Sequence, residues 1–372
     1  NSYANQLEGF YVPLLGDKAP APKVVQFNSP LAQSLNINLN DFQTNQMAAV
    51  LSGGASPKGA SPLAQAYAGH QFGHFSPQLG DGRALLIGEV IDKFGYRKDI
   101  QLKGSGRTPF SRNGDGKAAL GPVLREYLMG EAMHALNIPT TRALAVVTTG
   151  EKVMRDRLLP GAVLSRVAAS HLRVGTFQFF VSHENTEQVK KLADYTIWRH
   201  FPELIETDNK YLNLLRAVID KQASLVAKWM QVGFVHGVMN TDNVTISGET
   251  IDYGPCAFID SYDPNATFSS IDKQGRYAYS NQPAMAKWAL ARLAETLLPL
   301  LASDREKAIE LATNAVNDFD TRYQTLWLEG MRLKLGLSTI EKADLALVQQ
   351  LHRVMEKQNV DFTLMFRGLS DV

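Results

Sequence analysis

The sequence predicts an α+β fold of two lobes, in which an antiparallel sheet with one packed helix precedes a lobe of helices. Short apolar runs separated by polar turns fill residues 83–180, which is the pattern of strands. Apolar residues at helical spacing dominate from residue 211 onwards. A polar stretch rich in Asn, Asp and Gly, residues 236–260, stands where the helical half begins. We therefore expect two lobes that meet near residue 180.

The first 80 residues contain seven prolines and few periodic segments. This composition favours a loop-rich extension over an independent domain. We expect residues 1–80 to pack on the core of the protein. One helix is expected over residues 40–51, with Asn40 or Asp41 as its N-cap.

Residues 81–180 are expected to form the sheet lobe. Strands are expected at 83–91, 99–103, 143–149, 153–155 and 162–167. Pro122 suits the first turn of a helix that runs to about Ala135. The apolar stripe expected on that helix comprises Leu124, Tyr127, Leu128, Ala132, Met133 and Leu136.

Residues 181–372 are expected to form the helical lobe. Its strongest helix is predicted over residues 211–231, followed by Gly233. One face of that helix is expected to be buried and carries Leu215, Val218, Ile219, Gln222, Leu225, Val226 and Trp229. Further helices are expected at 283–298, 304–316, 318–335 and 339–357.

Composition excludes several classes of protein. The chain has 372 residues with 38 basic against 37 acidic side chains, so no overall field attracts nucleic acid or a membrane surface. The single cysteine, Cys256, excludes an internal disulfide framework and fits a reducing compartment. No apolar run approaches the length of a membrane span. We therefore expect a cytoplasmic protein with neither nucleic acid nor membrane as its partner.

The stretch from His236 to Asp260 predicts a tight hairpin with a turn at residues 247–249. Asn243 and Asp252 lie at the two ends of this hairpin, which would bring an amide oxygen and a carboxylate to one edge. Hard oxygen ligands of this kind bind Mg²⁺ or Mn²⁺ beside a phosphate. This edge is the predicted metal site.

Basic residues in the sheet lobe suggest phosphate binding. Lys103 ends a strand, and Glu126 follows on the next helix, as in the lysine–glutamate pair of protein kinases. Arg166 and Arg173 are candidate bidentate phosphate clamps. A solvated Lys–Glu pair and surface arginines at a sheet rim are the alternative interpretations.

The turn Gly80-Asp81-Gly82 precedes the strand that starts at Arg83. Glycines let backbone amides approach a phosphate closely, and Arg83 adds a fork of donors. An ordinary hairpin turn is the alternative.

The spacing between His236 and Asn243 is that of the kinase catalytic loop, and Asp252-Tyr-Gly254 supplies the following metal ligand. Val238, however, occupies the position of the usual catalytic Asp. The acid nearest to it in the loop is Asp242, directly before Asn243. Either the fold has lost its base, or the base has moved four residues along.

At this point the sequence resembles the selenoprotein O family of pseudokinase-like protein adenylyltransferases. The matching motifs extend over most of residues 60–285. They are Tyr67-Ala-Gly-His-Gln-Phe-Gly73, Leu79-Gly-Asp-Gly-Arg-Ala84, Gln101-Leu-Lys-Gly-Ser-Gly-Arg-Thr-Pro-Phe-Ser-Arg-Asn-Gly-Asp-Gly-Lys-Ala-Ala119, Leu124-Arg-Glu-Tyr127, His236-Gly-Val-Met-Asn-Thr-Asp-Asn243 and Thr250-Ile-Asp-Tyr-Gly-Pro255.

The resemblance implies a protein-kinase-like two-lobed fold that binds ATP in a flipped orientation and transfers AMP to Ser, Thr or Tyr hydroxyls of protein substrates. It implies that Asp242 is the base and that Asn243 and Asp252 hold Mg²⁺ or Mn²⁺. The residues implied to hold the nucleotide phosphates are Lys103, paired to Glu126, together with Arg83, Arg166 and Arg173. Those implied to shape the loop or meet the nucleotide are Gly80, Gly82, Asp115 and Gly116.

Other functions stay open at the level of sequence. UMP transfer from UTP with Mn²⁺, kinase-type phosphotransfer and an inactive nucleotide-binding scaffold are the alternatives. The resemblance also implies a longer family pattern, with a C-terminal motif containing Cys or selenocysteine that is linked to redox control. This sequence ends at Val372 with Cys256 as its single cysteine, so we expect a bacterial-type member without that tail.

Overall fold

The computed structural model describes residues 1–37 and 44–371. In that part of the chain the strands are β1 Tyr11–Pro13, β2 Lys23–Phe27, β3 Leu63–Gln65, β4 Gly69–Gln71, β5 His74–Ser76, β6 Ala84–Ile91, β7 Arg97–Lys103, β8 Ala118–Ala119, β9 Arg142–Met154, β10 Leu158–Ala168, β11 Phe234–Val235 and β12 Ala257–Phe258. The helices are α1 Ser2–Gln6, α2 Ser29–Ser34, α3 Thr44–Leu51, α4 Leu120–Ala135, α5 Val174–Ser182, α6 Thr186–His200, α7 Lys210–Gln231, α8 Gln282–Leu301, α9 Arg305–Lys334, α10 Asp344–Lys357 and α11 Phe362–Gly368.

The main sheet has eight strands in the order β1-β3-β6-β7-β10-β9-β2, with β8 paired to β10. Every pairing in it is antiparallel, which confirms the mixed fold with an antiparallel sheet. Three of its strands come from the first 80 residues. The two strands predicted at 143–149 and 153–155 are one strand, β9. It continues past Gly150, although that residue has φ +81°.

Helix α4 confirms the predicted helix, and part of the predicted stripe faces the core. Its buried residues are Val123, Glu126, Gly130 and Met133. Leu124 and Tyr127 of the predicted stripe are partly buried against the core, whereas the prediction is wrong for Leu128, Ala132 and Leu136, which are exposed. The helix lies close to β9 and β10. A Cβ on Gly130 would lie 3.1 Å from the carbonyl oxygen of Thr141, just before β9. Close packing on the sheet selects this face.

The helical half is built on α7, whose seven predicted core residues are all buried, as expected. It packs against α8 and α9. The helices predicted at 304–316 and 318–335 are one helix, α9, because the sequence between them contains neither Gly nor Pro. In the described part of the chain no helix is both long enough and apolar enough to span a membrane.

The helices differ from the prediction in other places as well. Helices α5 and α6 fall in a region for which no helix was predicted. Helix α10 starts at residue 344 rather than 339. The helix predicted at 40–51 is present as α3, and its predicted cap at Asn40 or Asp41 lies outside the described residues.

The predicted hairpin between Asn243 and Asp252 is wrong. Thr245 pairs with Arg173 and Thr250 pairs with Thr140, so its two arms bind other segments rather than each other. The turn itself is present, because the Thr245 hydroxyl donates to the carbonyl of Glu249 at 2.7 Å. One arm is thereby fixed at the start of α5 and the other just before β9.

Candidate active site

The carboxylate of Asp252 lies at the centre of a cluster of three cations. Its Oδ1 accepts hydrogen bonds from Lys103 Nζ at 2.5 Å and from Arg166 Nη1 at 2.7 Å. Its Oδ2 accepts from Arg173 Nη1 at 3.1 Å. Asp252 adopts φ +62°, a left-handed conformation that is uncommon for a residue other than glycine. Burial opposes ionisation of Asp252, but the three cations outweigh it and hold its pKa well below the usual range.

Each cation comes from a different element. Lys103 ends β7, Arg166 lies in β10 opposite Gln101, and Arg173 is the N-cap residue of α5. Arg166 and Arg173 are only 1% and 2% exposed, which excludes the interpretation of surface cations. Burying two guanidinium groups is costly unless acidic groups pair with them. The cluster therefore depends on its ion pairs with Asp252 and Glu126.

Glu126 supplies the second acid of the cluster. From α4 its carboxylate accepts from Lys103 Nζ at 2.6 Å and from Arg166 Nη1 at 3.0 Å. The predicted pairing of Lys103 with Glu126 is therefore present. In these ion pairs three positive charges face two negative ones, and the nearby carboxylates of Asp81 and Asp242 place further negative charge beside Arg173. The lysine and the two arginines are charged donors of the kind that bind phosphate oxygens.

A layer of polar residues behind the cluster was missed by sequence reasoning. Arg166 Nη2 donates to Gln101 Oε1 at 2.5 Å, and Gln101 Nε2 donates to the Asp81 carboxylate at 3.2 Å. Gln101 is fully buried and Asp81 is 1% exposed. The available signal was a glutamine between two apolar residues, Ile100 and Leu102, within a strand. This layer orients the guanidinium of Arg166.

Asp242 lies beside this centre. Arg173 Nη1, which binds Asp252, also donates to the backbone carbonyl of Asp242 at 2.8 Å. The Oδ1 of Asp242 is buried without a hydrogen-bond partner among the described residues, and Oδ2 accepts from Gln71 Nε2 at 3.3 Å. Burial raises the pKa of Asp242 to about 6, against the lowering influence of Arg173. A free carboxylate oxygen with such a pKa suits a general base near neutral pH.

The hairpin of β4 and β5 holds the loop that carries Asp242, a role that sequence reasoning did not identify. His70 N donates to Thr241 Oγ1 at 2.7 Å, and Phe72 N donates to Asn240 Oδ1 at 3.1 Å. Phe72 and Gly73 have φ of +50° and +88°, as in the two-residue turns typical of hairpins.

Asn243 and Asp252 offer a donor set for a divalent cation. Asn243 Nδ2 donates to the Val238 carbonyl at 3.0 Å, and its Oδ1 has no hydrogen bond within the described ranges. No group of three or more His, Cys, Asp or Glu side chains suited to a metal was found among the described residues. A magnesium ion beside phosphates takes only one or two protein ligands, so an amide oxygen and a carboxylate fit it.

Arg83 and Asp115 are not in contact with the Asp252 cluster. Arg83 is exposed, and its side chain makes no hydrogen bond in the part of the chain described here. Asp115 accepts from Arg155 Nη1 at 2.8 Å in an exposed ion pair. Both residues stay predictions as nucleotide contacts.

The three predicted loop glycines have structural reasons to be glycine. A Cβ on Gly80 or Gly82 would clash with Phe110, and a Cβ on Gly116 would clash with Gly106. The amides of residues 80–82 already donate to backbone carbonyls of the protein. Their contribution to phosphate binding stays a prediction.

Comparison with known proteins agrees with the geometry. The family described as protein adenylyltransferase SelO matches residues 1–372. A protein nucleotidyltransferase YdiU of Cereibacter sphaeroides is 60% identical over 372 residues, covering 100% of this chain and 77% of that protein. The YdiU of Rhizobium rhizogenes is 59% identical, covering 99% of this chain and 73% of that protein. The YdiU of Shouchella clausii is 60% identical over 370 residues, covering 100% of this chain and 76% of that protein. The chain therefore belongs to the SelO family of protein adenylyltransferases and is a nucleotidyltransferase.

Proposed function

We propose that this protein transfers AMP from ATP to Ser, Thr or Tyr hydroxyls of protein substrates and releases pyrophosphate. The acceptor hydroxyl oxygen attacks the α-phosphorus, and the bond from that phosphorus to the bridging oxygen breaks. The hydroxyl proton passes to Oδ1 of Asp242. One observation carries this proposal: Oδ1 of Asp242 is buried, has no hydrogen-bond partner among the described residues, and belongs to a residue that lies beside the three cations around Asp252.

The proposed fold is protein-kinase-like, with an extension over residues 1–80, a sheet lobe over 81–180 and a helical lobe over 181–372. The antiparallel sheet, the contact of Lys103 with Glu126 on α4, and the helices around α7 support it. In this proposal ATP lies flipped, so that the α-phosphate faces the acceptor. The deep burial of Arg166 and Arg173 supports that orientation, because phosphates that run inward need cations at the bottom of the cleft.

In this arrangement Lys103, Arg166 and Arg173 hold the phosphates, and Glu126 keeps Lys103 in place. Arg83 at the mouth of the site would add a further cation, with Gly80 and Gly82 shaping its loop and Asp115 and Gly116 meeting the nucleotide. Asn243 and Asp252 would hold Mg²⁺ or Mn²⁺, which neutralises phosphate charge when bound. Phosphate oxygens would take over the cations that now bind Asp252, since the carboxylate and the phosphates compete for the same donors.

The proposal is tested with ATP labelled at either the α- or the γ-phosphate, incubated with the protein, divalent metal and a panel of Ser, Thr and Tyr peptides. We expect stable label on peptide from the α position only. Label from the γ position only would instead indicate a kinase-type phosphotransferase. UTP labelled at the α position, with Mg²⁺ or Mn²⁺, measures UMP transfer in parallel.

Nucleotide binding without turnover under either metal would indicate an inactive scaffold. The environment of Asp242 argues against that alternative. A scaffold gains nothing from a buried carboxylate whose pKa is raised to about 6, because burying that group costs stability.

A further inference from the structure

A second cationic site lies on the other side of the β4–β5 hairpin. The guanidinium groups of Arg276 and Arg292 both lie over the ring of Trp288, at 4.7 Å and 5.2 Å from its centre. Trp288 and Arg292 belong to α8, and Arg276 precedes that helix. Two like charges on one ring repel each other, so an anion between them would relieve the repulsion.

The hydrogen-bonding capacity of these arginines is incompletely used. Arg276 Nε and Nη2 and Arg292 Nε are buried without hydrogen-bond partners among residues 1–37 and 44–371. Arg292 Nη2 contacts Glu295 at 2.7 Å, whereas Arg276 has no acidic partner within that part of the chain. Buried donors of a charged group are costly when unpaired. Both side chains remain partly exposed, so an anion can approach them from solvent, although the three unpartnered nitrogens are themselves buried.

This second site adjoins the loop of the proposed base. The His70 ring packs edge-on against Trp288 at 5.2 Å, while His70 N binds Thr241, the neighbour of Asp242. Tyr277, directly after Arg276, donates its hydroxyl to Asn240 Oδ1 at 2.9 Å. A ligand bound by the two arginines would therefore lie close to the hydroxyl that Asp242 deprotonates.

We propose that Arg276, Arg292 and Trp288 form an acceptor subsite for an acidic side chain, Asp or Glu, on the protein substrate. This inference rests on the proposed function, since it names a feature of the acceptor. Because His70 and Tyr277 join this site to the loop of Asp242, we expect the acidic residue to lie close in sequence to the modified hydroxyl. The carboxylate would pair with the guanidinium groups while its neighbouring residues pack on Trp288 and on the exposed Phe75.

The test uses peptides with one acceptor hydroxyl and one Glu at each of the four positions on either side. Matched peptides carry Gln or phosphoserine at the same positions. We expect kcat/KM for AMP transfer to be about tenfold higher for Glu than for Gln at the best position, as for a hydrogen bond to a charged group. Equal rates for Glu and Gln at every position would overturn the proposal, as would a preference for phosphoserine alone.

Variants assign the preference to these residues. Arg292→Gln and Arg276→Gln are expected to abolish the preference for Glu and to leave ATP affinity unchanged. Lys287→Gln is the matched control, because Lys287 lies on the same helix and its side chain is 28% exposed, as is that of Arg292. Control and wild type should show the same preference. Loss of preference in the control, or its retention in both arginine variants, would contradict the assignment.

Charge reversal separates recognition from folding. Arg292→Glu should prefer Lys peptides over Glu peptides, a rescue that a merely structural role cannot produce, and thermal melting verifies that the variant is folded. Failure to prefer Lys counts against the subsite. If the wild-type protein transfers α-label to no peptide, the proposed function fails. If it transfers label without a preference for Glu, only the subsite fails.

Discussion

Among single residues, the pKa values of two neighbouring carboxyl groups, Asp242 and Asp252, are shifted in opposite directions. Burial raises the pKa of Asp242 to about 6, whereas at Asp252 three cations outweigh burial and hold the pKa well below its usual range. Environments that drive two acids apart in this way separate their roles. Asp252 is ionised at any physiological pH and suits a metal ligand, while Asp242 can take up a proton near neutrality.

Asp242→Asn is expected to lower the rate of AMP transfer by about 10²- to 10⁴-fold, because the base is lost, and to leave ATP binding unchanged. In the wild-type protein the rate should rise with pH and level off above about 6, as Asp242 loses its proton. Measurement of α-label transfer and of ATP affinity across pH 5–8 tests both statements. A variant that retains the full rate would show that Asp242 is not the base.

The same substitution has a consequence for stability. A carboxyl group whose pKa is raised on folding binds its proton more tightly in the folded state, so it reduces stability as pH rises from about 4 to about 6. Asp242→Asn removes this cost and should therefore stabilise the protein at pH 7, by roughly 1–3 kcal/mol. At pH 4 the gain should shrink to a small fraction of its value at pH 7. Urea unfolding at the two pH values measures it.

At the scale of elements, the β4–β5 hairpin is the part that positions the base. Its strand β4 passes so close to Asp242 that a Cβ on Gly69 would lie 2.6 Å from Asp242 Oδ1. Gly69 does not have positive φ, so close approach rather than backbone conformation requires glycine here. The hairpin also carries His70, which joins the base loop to Trp288. It therefore contacts both the proposed base and the proposed acceptor subsite.

Gly69→Ala is expected to displace the Asp242 carboxylate and to lower kcat by about 10- to 100-fold at an unchanged KM for ATP. Steady-state kinetics with α-labelled ATP measure both constants. Gly121→Ala serves as the control, because its Cβ would meet nothing within 4 Å, and it should keep the wild-type rate. An unchanged kcat in Gly69→Ala would contradict the positioning role of the hairpin.

At the scale of the whole molecule, a buried charge network joins the sheet to the helices. Arg199 on α6 binds Glu89 on β6 at 3.0 Å and Asp99 on β7 at 2.6 Å. All three side chains are at most 2% exposed, and His171 Nδ1 lies 3.2 Å from the Asp99 carboxylate. Burial opposes ionisation of Asp99, but Arg199 and His171 outweigh it and lower its pKa.

Arg199→Gln leaves the buried carboxylate of Asp99 without its guanidinium partner, whereas Glu89 keeps Arg97 at 2.8 Å, so we expect a loss of roughly 3–5 kcal/mol of unfolding free energy. Chemical denaturation at pH 7 measures it. Lys307→Gln breaks an exposed pair with Glu310 and should change stability by less than about 0.5 kcal/mol. If both substitutions lowered the unfolding free energy equally, burial of the Arg199 ion pairs would not explain their contribution to stability. In the wild-type protein, the contribution of Asp99 should be present above about pH 4 and be lost as pH falls below it.

Several features were predictable from sequence because local pattern determines them. The strands β6 and β7, the helix α4 and the helix α7 follow from apolar periodicity and turn residues. The contact of Lys103 with Glu126 followed from the order of a strand end and the next helix. Arg166 and Arg173 were expected as phosphate clamps and Asp252 as a metal ligand, and the structure brings both guanidinium groups to the carboxylate of Asp252.

Tertiary packing decided the remainder, because it depends on segments far apart in sequence. The predicted hairpin arms pair with Arg173 and Thr140 rather than with each other, since those segments offer free backbone groups at the right distance. The polar layer of Asp81 and Gln101, and the hairpin that holds Asp242, became visible only in three dimensions. Sequence by itself determined which charges and which periodic elements the protein has. Only the folded chain brings those charges together, because segments far apart in sequence supply both the burial and the neighbouring charges that set the pKa values of the site.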